Sequence, residues 1–163
     1  MALISSGELG MDSRAGPVKS LSSVQDSATL SPPRKDYFIR RDGVDYAGTH
    51  LIIDLRGARR LDDIEHIGET LRAAVVASGA TLLHLHLHHF TPNAGVSGVA
   101  VLAESHISIH TWPERGYAAL DVFMCGDAQP ERTLDVFQRA FSPEKLQVTE
   151  HLRGRSDETA GWR

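Results

Sequence analysis

The sequence predicts an α+β fold, a two-layer sandwich in which two helices cover one face of an antiparallel sheet. Apolar and polar residues alternate over six short segments, which is the period of a strand, and two longer segments carry apolar residues at helical spacing. Four of the strand segments follow one another without an intervening helix. Parallel neighbours need a long crossover, so this order favours antiparallel pairing, with both helices on the same face of the sheet.

Each predicted helix has an apolar face and a signal near one end. Gly79 is a stop signal after the first helix, and Pro130 falls in the first turn of the second, where its missing N–H costs nothing. The segments 96–105 and 106–112 are either two strands or one strand bent at their junction. In chain order the elements are strand 49–55, helix 60–79, strand 80–90, strands 96–105 and 106–112, strand 117–125, helix 129–141 and strand 145–152.

Strand 80–90 divides its residue types between the two faces of the sheet. The leucines predicted to lie under the helices are Leu83, Leu85 and Leu87, and the histidines predicted on the uncovered face are His84, His86 and His88. The same alternation groups His50, Ile52 and Asp54 on one face of the first strand. The uncovered face is therefore expected to be solvated or to meet a second subunit. Imidazoles in a line along one strand suit a tetrahedral metal poorly, so no metal is expected.

The composition indicates one globular domain without nucleic-acid or membrane partners. The chain has 163 residues and a net charge of -4, which allows a sizeable core and is not the basic footprint of a nucleic-acid-binding protein. No apolar run approaches a membrane span, and no secretory signal opens the chain. The single cysteine, Cys125, excludes an internal disulfide and favours a cytoplasmic location. Residues 1–40 are predicted to be disordered, 45–154 to form the domain, and 155–163 to be a flexible tail.

The stretch AESHISIHTWPE, residues 103–114, carries more reactive groups than a packing strand needs. Glu104 and Ser105 lie near its head, and His110 follows five residues after the serine. No G-x-S-x-G elbow surrounds Ser105, so a hydrolase of that type is not indicated. From the residues alone, Ser105 and His110 are either incidental polar groups on a β-ribbon or parts of a catalytic site.

This stretch belongs to a longer run that resembles the prokaryotic S-adenosylmethionine decarboxylase proenzymes, which are pyruvoyl-dependent. The resemblance extends from GTHLIIDLRGA, starting at residue 48, to VTEHLRG, ending at residue 154, and its most specific part is ESHISIHTWPE…GYAALDVF…CGD. Residues 1–40 lie outside it. The α/β sandwich of that family agrees with the predicted order of elements.

The resemblance implies that the chain cuts itself at the Glu104–Ser105 bond. The Ser105 hydroxyl attacks the Glu104 carbonyl to give an ester, elimination breaks the ester, and hydrolysis leaves a pyruvoyl group at position 105. His110 carries over as the base of this processing, and Ser97 as the group that stabilises the oxyanion. The two products are a β chain, residues 1–104, and an α chain, residues 105–163.

The resemblance also implies the later chemistry and the assembly. The covalent pyruvoyl group forms a Schiff base with the substrate amine, S-adenosylmethionine loses CO2, and Cys125 donates a proton; the product serves spermidine biosynthesis. Phe90, Trp112 and Glu114 carry over as substrate-binding residues, the rings for the adenine and the sulfonium and the carboxylate for polar contacts. No soluble cofactor is required. The family implies a homodimer of processed αβ protomers with substrate pockets at the dimer interface.

Two alternatives stay open from the sequence. Relatives on this scaffold decarboxylate ornithine or arginine with the same pyruvoyl chemistry, and Asp54 is then a candidate for binding the distal cation of the substrate. The other alternative is an unprocessed, inactive relative with a regulatory role. The chain departs from the family pattern at Arg56-Gly57-Ala58, where Tyr-Gly-Cys is common, and at Asn93-Ala94, where one residue is usual.

Overall fold

The computed structural model describes residues 37–92 and 94–156 and confirms the predicted α+β sandwich. Within these residues, antiparallel strands form one sheet of seven strands. The strands are β1 Ile39–Arg41, β2 Val44–Arg56, β3 Leu82–His89, β4 Val96–Leu102, β5 Ser105–Trp112, β6 Tyr117–Met124 and β7 Lys145–Ser156, and the helices are α1 Ile64–Ser78 and α2 Arg132–Phe141. None of the described helices is long and apolar enough to cross a membrane.

The sheet places β5, the strand that carries the HISIHTW segment, in its interior. The order runs β2, β6, β5, β4, β3, with β7 on the other side of β2. Asp45 of β2 pairs with Arg40 of β1 and also with Ser156 of β7, so these two strands lie on opposite sides of β2. Strand β1 is therefore on the same side of β2 as β6. Since β4 pairs with residues 105–110 of β5 and β6 with residues 106–112, every residue of β5 has a partner on at least one side, which fixes the direction of its side chain.

Alternate residues of the strands face the helices and form an aliphatic core. Ile53, Ile107 and Ile109 from the strands and Ile67 and Phe137 from the helices are fully buried. Burial of one such side chain contributes about 1.5–3 kcal/mol. The hydrophobic effect therefore decides which face of each strand turns inward.

The opposite face of the sheet, called the uncovered face below, is polar and rich in histidine. The cross-strand pairs group its central residues as His50, Ile52 and Asp54 of β2, Tyr117, Ala119, Asp121 and Phe123 of β6, His106, Ser108, His110 and Trp112 of β5, and Ser97, Val99 and Val101 of β4. His84, His86 and His88 of the edge strand β3 continue the same rows, and His151 of β7 lies opposite His50. His50, Ile52 and Asp54 share this face as predicted.

Helix α1 begins at Ile64, four residues later than the predicted start at residue 60, because Asp63 caps it. The Asp63 carboxylate accepts hydrogen bonds from the His66 N–H at 3.0 Å and from Arg60 at 2.8 Å. These two contacts hold the pKa of Asp63 below its ordinary value. Gly79 ends the helix as predicted, in a left-handed conformation with φ of 75°.

Helix α2 begins later than predicted, and Pro130 is not in its first turn. The helix starts at Arg132, and Pro130 lies in the turn that leads into it. The Pro130 carbonyl accepts from the Thr133 N–H at 3.0 Å and from the Thr133 hydroxyl at 2.7 Å. These bonds close a separate turn ahead of the helix. Phe137 and Phe141 are buried, in agreement with the predicted apolar face.

The alternation predicted for strand 80–90 is wrong at Leu83. The register between β3 and β4 shifts between Leu82 and His84, so Leu82 packs against the core and Leu83 is 64% exposed. Leu85 and Leu87 pack toward the helices as predicted. A bulge inserts one residue and thereby reverses the facing of the residues on one side of it.

The ordered domain is longer at both ends than predicted. Ile39–Arg41, partly inside the predicted tail 1–40, forms β1 because it pairs with the start of β2. Strand β7 reaches Ser156 because it pairs along almost all of β2. The remaining parts of the two predicted tails, 1–36 and 157–163, lie outside the described residues.

Candidate active site

A two-residue turn, Ala103-Glu104, joins β4 to β5 and contains the predicted cleavage point. Leu102 pairs with Ser105 across this turn, so the segments 96–105 and 106–112 form two strands and not one bent strand. Glu104 has a φ of 66°, a left-handed conformation that costs a non-glycine residue about 1–2 kcal/mol. The preferred two-residue hairpin turns have a positive φ at their first central residue, which Ala103 lacks. The backbone is therefore strained at the residue whose carbonyl precedes Ser105.

Cys125, the residue after β6, lies beside Ser105. Its backbone N–H donates a hydrogen bond to Ser105 Oγ at 3.2 Å. Burial and the nearby Glu104 carboxylate raise the pKa of the Cys125 thiol, while a hydrogen bond with the Ser105 side chain acts in the opposite direction. The thiol is thus protonated at neutral pH, as a proton donor must be. Glu104, Ser105 and Cys125 are called the turn site below.

Two glycines allow the backbone to close around the turn site. At Gly48 of β2 an added Cβ would lie 2.4 Å from the Met124 carbonyl oxygen and 3.1 Å from Cys125 Sγ. Gly126 has a φ of 59° and turns the chain directly after Cys125, where its N–H donates to the Tyr37 carbonyl at 2.7 Å. A side chain at position 48 would displace the thiol, so the position of Cys125 depends on this close approach.

A cavity of about 280 Å³ opens beside the turn site. Ser105 and Cys125 line it together with Tyr37 and Asp127, two residues that the sequence analysis missed. Tyr37 belonged to the predicted tail, although the apolar run YFI at 37–39 is the kind of segment that pairs as a short strand. Asp127 is the last residue of the CGD segment, and the match of that segment to the family was the available signal.

The remaining predicted site residues meet in a second cavity of about 320 Å³, called the pocket below. Ser97 and His110 lie opposite each other on β4 and β5, with 2.8 Å between Ser97 Oγ and His110 Nδ1. The residues that line the pocket are Phe90, Thr91, Gly95, Ser97, His110, Thr111, Trp112 and Glu114. The three predicted substrate-binding residues, Phe90, Trp112 and Glu114, are thus brought together, and Phe90 lines the pocket although the chain departs from the family pattern just after it. Asn93 itself lies outside the described residues.

A buried hydroxyl holds the floor of the pocket in place. Thr111 Oγ1 accepts from the Val96 N–H at 2.7 Å and donates to the Leu61 carbonyl at 2.7 Å. These bonds tie the start of β4 and the segment before α1 to β5. Buried polar atoms that are fully bonded fix local geometry, so the neighbouring Ser97 and His110 are supported from below.

The turn site and the pocket are far apart within one chain. Ser105 and His110 are five residues apart on β5, whose pairing with β4 and β6 is unbroken between them. At the rise of a β-strand their Cα atoms are about 16 Å apart, and the odd spacing turns their side chains to opposite faces. Ser105 shares the helix side with Ile107, and His110 lies on the uncovered face. The structure therefore brings together Ser105 with Cys125, and Ser97 with His110, but not the two pairs with each other.

The uncovered face contains a second group of titratable residues near its centre. His50 Nδ1 lies 3.0 Å from a nitrogen of Arg153, and His50 Nε2 is buried without a hydrogen-bond partner, 3.4 Å from Asp121. Asp121 accepts a hydrogen bond from the Ser108 hydroxyl at 2.8 Å. Burial, and then the proximity of His50, lower the pKa of His106, against the effect of Asp121. Among the described residues, no three His, Cys, Asp or Glu side chains are grouped to hold a metal ion.

Comparison with known proteins identifies the family. The family model described as S-adenosylmethionine decarboxylase matches residues 49–154. The S-adenosylmethionine decarboxylase proenzyme of Thermomicrobium roseum is 45% identical over 108 residues, which cover 66% of this chain and 93% of that protein. The proenzyme of the same name from Methanococcus maripaludis strain S2 is 50% identical over 114 residues, covering 68% and 93%.

A solved structure is similar to this chain in both fold and sequence. The crystal structure of the adenosylmethionine decarboxylase from Aquifex aeolicus superposes with a TM-score of 0.63 at 37% identity, covering 71% of this chain and 97% of that one. The matched region includes both the turn site and the pocket. Since the family model spans well over half of the chain and the relatives match over nearly their whole length, the chain belongs to the S-adenosylmethionine decarboxylase family.

Proposed function

We propose that this chain is a self-processing decarboxylase that converts S-adenosylmethionine to CO2 and decarboxylated S-adenosylmethionine. The decarboxylated product is the aminopropyl donor of spermidine biosynthesis. The observation that carries the proposal is the turn site. A strained residue, Glu104, precedes a serine whose hydroxyl lies beside the single cysteine of the chain, in the described region that matches the family. The names of the family relatives support S-adenosylmethionine as the substrate.

Self-processing uses groups that the turn site contains. Attack of Ser105 Oγ on the Glu104 carbonyl breaks the amide C–N bond, forms an ester C–O bond and frees the amine. The left-handed conformation of Glu104 favours this step because cleavage releases its strain. Removal of the Cα proton of residue 105 then expels the Glu104 carboxylate. Water replaces the nitrogen, ammonia leaves, and the pyruvoyl group remains.

The base for this elimination comes from the other protomer of a homodimer. Within one chain His110 is about 16 Å along β5 from Ser105 and on the other face, so it cannot reach the Cα proton there. Two uncovered faces packed together bring the pocket of one protomer to the end of its partner's sheet where residue 105 lies. The Ser105 side chain is on the helix side, so the Cα proton of residue 105 is the group open to a base that approaches from the uncovered face. The exposed apolar side chains of that face, Ile52, Val101 and Trp112, support such packing. Ser97, bonded to His110, then serves the oxyanion from the same side.

The decarboxylation that follows depends on Cys125 and the pocket. The pyruvoyl group supplies a carbonyl that withdraws the electron pair left when CO2 departs. Cys125 holds the proton that the carbon then needs, because burial and the Glu104 carboxylate keep its thiol protonated. Phe90 and Trp112 contact the adenine and the sulfonium, and the exposed carboxylate of Glu114 contacts the ribose.

The alternative substrates have less support. For ornithine or arginine, Asp54 would have to bind a distal cation, but one of its oxygens already accepts a hydrogen bond from the Tyr117 hydroxyl. The compared relatives are named for S-adenosylmethionine. An inactive regulatory relative has no support either, because Ser97, His110 and all members of the turn site are present.

A denaturing gel and a CO2-release assay test the proposal together. Wild-type protein is expected as two fragments, 1–104 and 105–163, and Ser105→Ala as one 17.8 kDa chain. Ser108→Ala, a hydroxyl loss on the same strand, is the matched control and should be cleaved normally. The 105–163 fragment should react with a hydrazide through its terminal carbonyl.

Processed protein should release CO2 from carboxyl-labelled S-adenosylmethionine and not from ornithine or arginine, each offered alone. Uncleaved wild-type protein after long incubation would defeat the processing step. Turnover of ornithine or arginine without S-adenosylmethionine would defeat the substrate and leave the processing intact.

A further inference from the structure

Four planar groups from three neighbouring strands stack at the pocket end of the uncovered face. The Arg56 guanidinium lies 5.5 Å from the Tyr117 ring centre, and the Tyr117 ring stacks on Trp112 at 5.3 Å with 29° between the planes. Trp112 lies in turn 6.2 Å from His110, at 30°. Trp112 and His110 line the pocket, and Tyr117 and Arg56 lie behind them. The Trp112 side of the pocket wall is therefore supported by Tyr117 and Arg56, which do not line the pocket themselves.

Asp54 makes a hydrogen bond to the tyrosine of this stack. The Tyr117 hydroxyl donates to Asp54 Oδ1, and this bond is the main reason why the pKa of Tyr117 is raised. Both side chains are half-buried. A bond between a phenol and a carboxylate is charge-assisted and directional, so it fixes the rotation of the Tyr117 ring.

We infer that Asp54 and Tyr117 are a positioning pair for the substrate pocket, which fix the indole of Trp112 in the plane that receives the adenine of the substrate. The inference rests on the proposed function. Trp112 is 41% exposed, and without support an indole on an open face samples several rotamers. A ring held in place before binding spares the complex the cost of ordering it. Neither residue of the pair touches the reacting atoms.

A carboxylate is not needed here for packing alone. An apolar side chain at position 54 would support the Tyr117 ring without the desolvation cost of a half-buried charge. The carboxylate adds a fixed orientation, which packing by itself does not supply. The role assigned to Asp54 thus differs from the distal-cation role expected for ornithine or arginine.

Kinetics of processed variants test the inference. Tyr117→Phe keeps the ring and loses the bond, Asp54→Ala loses the same bond from the other side, and Tyr117→Leu loses the stack. We expect KM for S-adenosylmethionine to rise about threefold in the first two variants, no further in their combination, and about tenfold in Tyr117→Leu. The kcat per processed chain should stay within about twofold, because the pair holds the binding wall and not the reacting groups.

A second readout needs no substrate. With Trp162→Phe as background, Trp112 is the sole tryptophan. Acrylamide should quench its fluorescence more strongly in Tyr117→Leu than in the parent, because the ring behind it is gone. Tyr46→Phe, a hydroxyl loss elsewhere on β2, is the matched control for both readouts.

Unchanged KM and unchanged quenching in all three variants, with only a lower thermal midpoint, would overturn the inference and make the bond purely structural. Wild-type protein that does not decarboxylate S-adenosylmethionine would instead defeat the proposed function, so the two failures are distinguishable.

Discussion

The turn site and the pocket both contain residues of β5, yet they differ in their position on the strand, the face of the sheet and the reactive groups that they hold. The turn site lies at the start of the strand, on the side of the helices, and holds the hydroxyl of Ser105 and the thiol of Cys125. The pocket lies at the other end, on the uncovered face, and holds His110, Ser97 and the aromatic rings. The turn site holds the nucleophile of the proposed processing step, and the pocket holds its base. Under the proposed function each is half of a site, and the second protomer of the homodimer supplies the other half.

The largest expected effect is on self-cleavage when the turn site and the pocket are inactivated in different chains. Ser105→Ala and His110→Ala should each remain uncleaved when produced alone. In a mixed dimer, intact His110 from the first chain meets intact Ser105 of the second, so we expect co-expression to restore cleavage of the His110→Ala chain only. Differently tagged chains on a denaturing gel measure this. If neither chain is cut in the mixture while wild-type protein is cut, the two regions serve each other within one chain.

The next effect concerns the face that carries the pocket. All nine histidines lie in the described residues, and seven of them lie on the uncovered face. Other charged groups of this face include Asp54, Asp121, Arg56, Lys145, Arg153 and Arg155. Histidine gains charge as pH falls, so two such faces repel each other in acid. We expect the dimer dissociation constant to rise at least about tenfold from about pH 7.5 to about pH 5.5.

Sedimentation velocity on uncleavable Ser105→Ala measures this shift, with far-UV circular dichroism as the control for folding. Replacing His84, His86 and His88 with Asn should reduce the shift. A dimer equally tight at both pH values would show that the histidine face is not the contact surface.

A smaller effect sharpens the electrostatics of the turn site. Burial first, and the Glu104 carboxylate second, raise the pKa of Cys125. In a Ser105→Ala background, Glu104→Gln removes the nearby charge, so more thiolate forms and iodoacetamide should alkylate the single cysteine about threefold faster at about pH 8. Asp127→Asn, which changes a carboxylate lining the same cavity, is the control and should have no comparable effect. An unchanged rate in Glu104→Gln would leave burial as the sole cause.

The smallest effect concerns the centre of the uncovered face. Burial and His50 lower the pKa of His106 below 6.5, so the folded state binds fewer protons there than the unfolded state. Folding stability is therefore lost as pH falls through 6.5 toward the lowered pKa. Urea unfolding of Ser105→Ala should show a decline in acid that His106→Gln reduces. Equal declines in both proteins would assign the pH dependence to other groups.

Much of this architecture follows from the sequence because periodicity reports which face a residue occupies. The alternation along β2 and β5 and the helical spacing in α1 predicted the two layers, and the burial of Ile53, Ile107 and Ile67 agrees. The pattern failed at Leu83, where a bulge adds one residue, and at the start of β1, which owes its order to pairing with β2. The periodicity of apolar residues predicts neither a β-bulge nor the pairing of a short strand with a distant one.

The sequence by itself determined the residue types of the site and their distances along the chain: a serine after a glutamate, a histidine five residues later and one cysteine. Only the tertiary structure decided which of them meet. Pairing of β5 with β6 brings Cys125 to Ser105 across twenty positions, whereas the extended backbone of β5 keeps His110 away from Ser105 across five. The physical reason is that a strand separates its own residues by a fixed rise, while hydrogen bonding between strands unites residues that are distant in sequence.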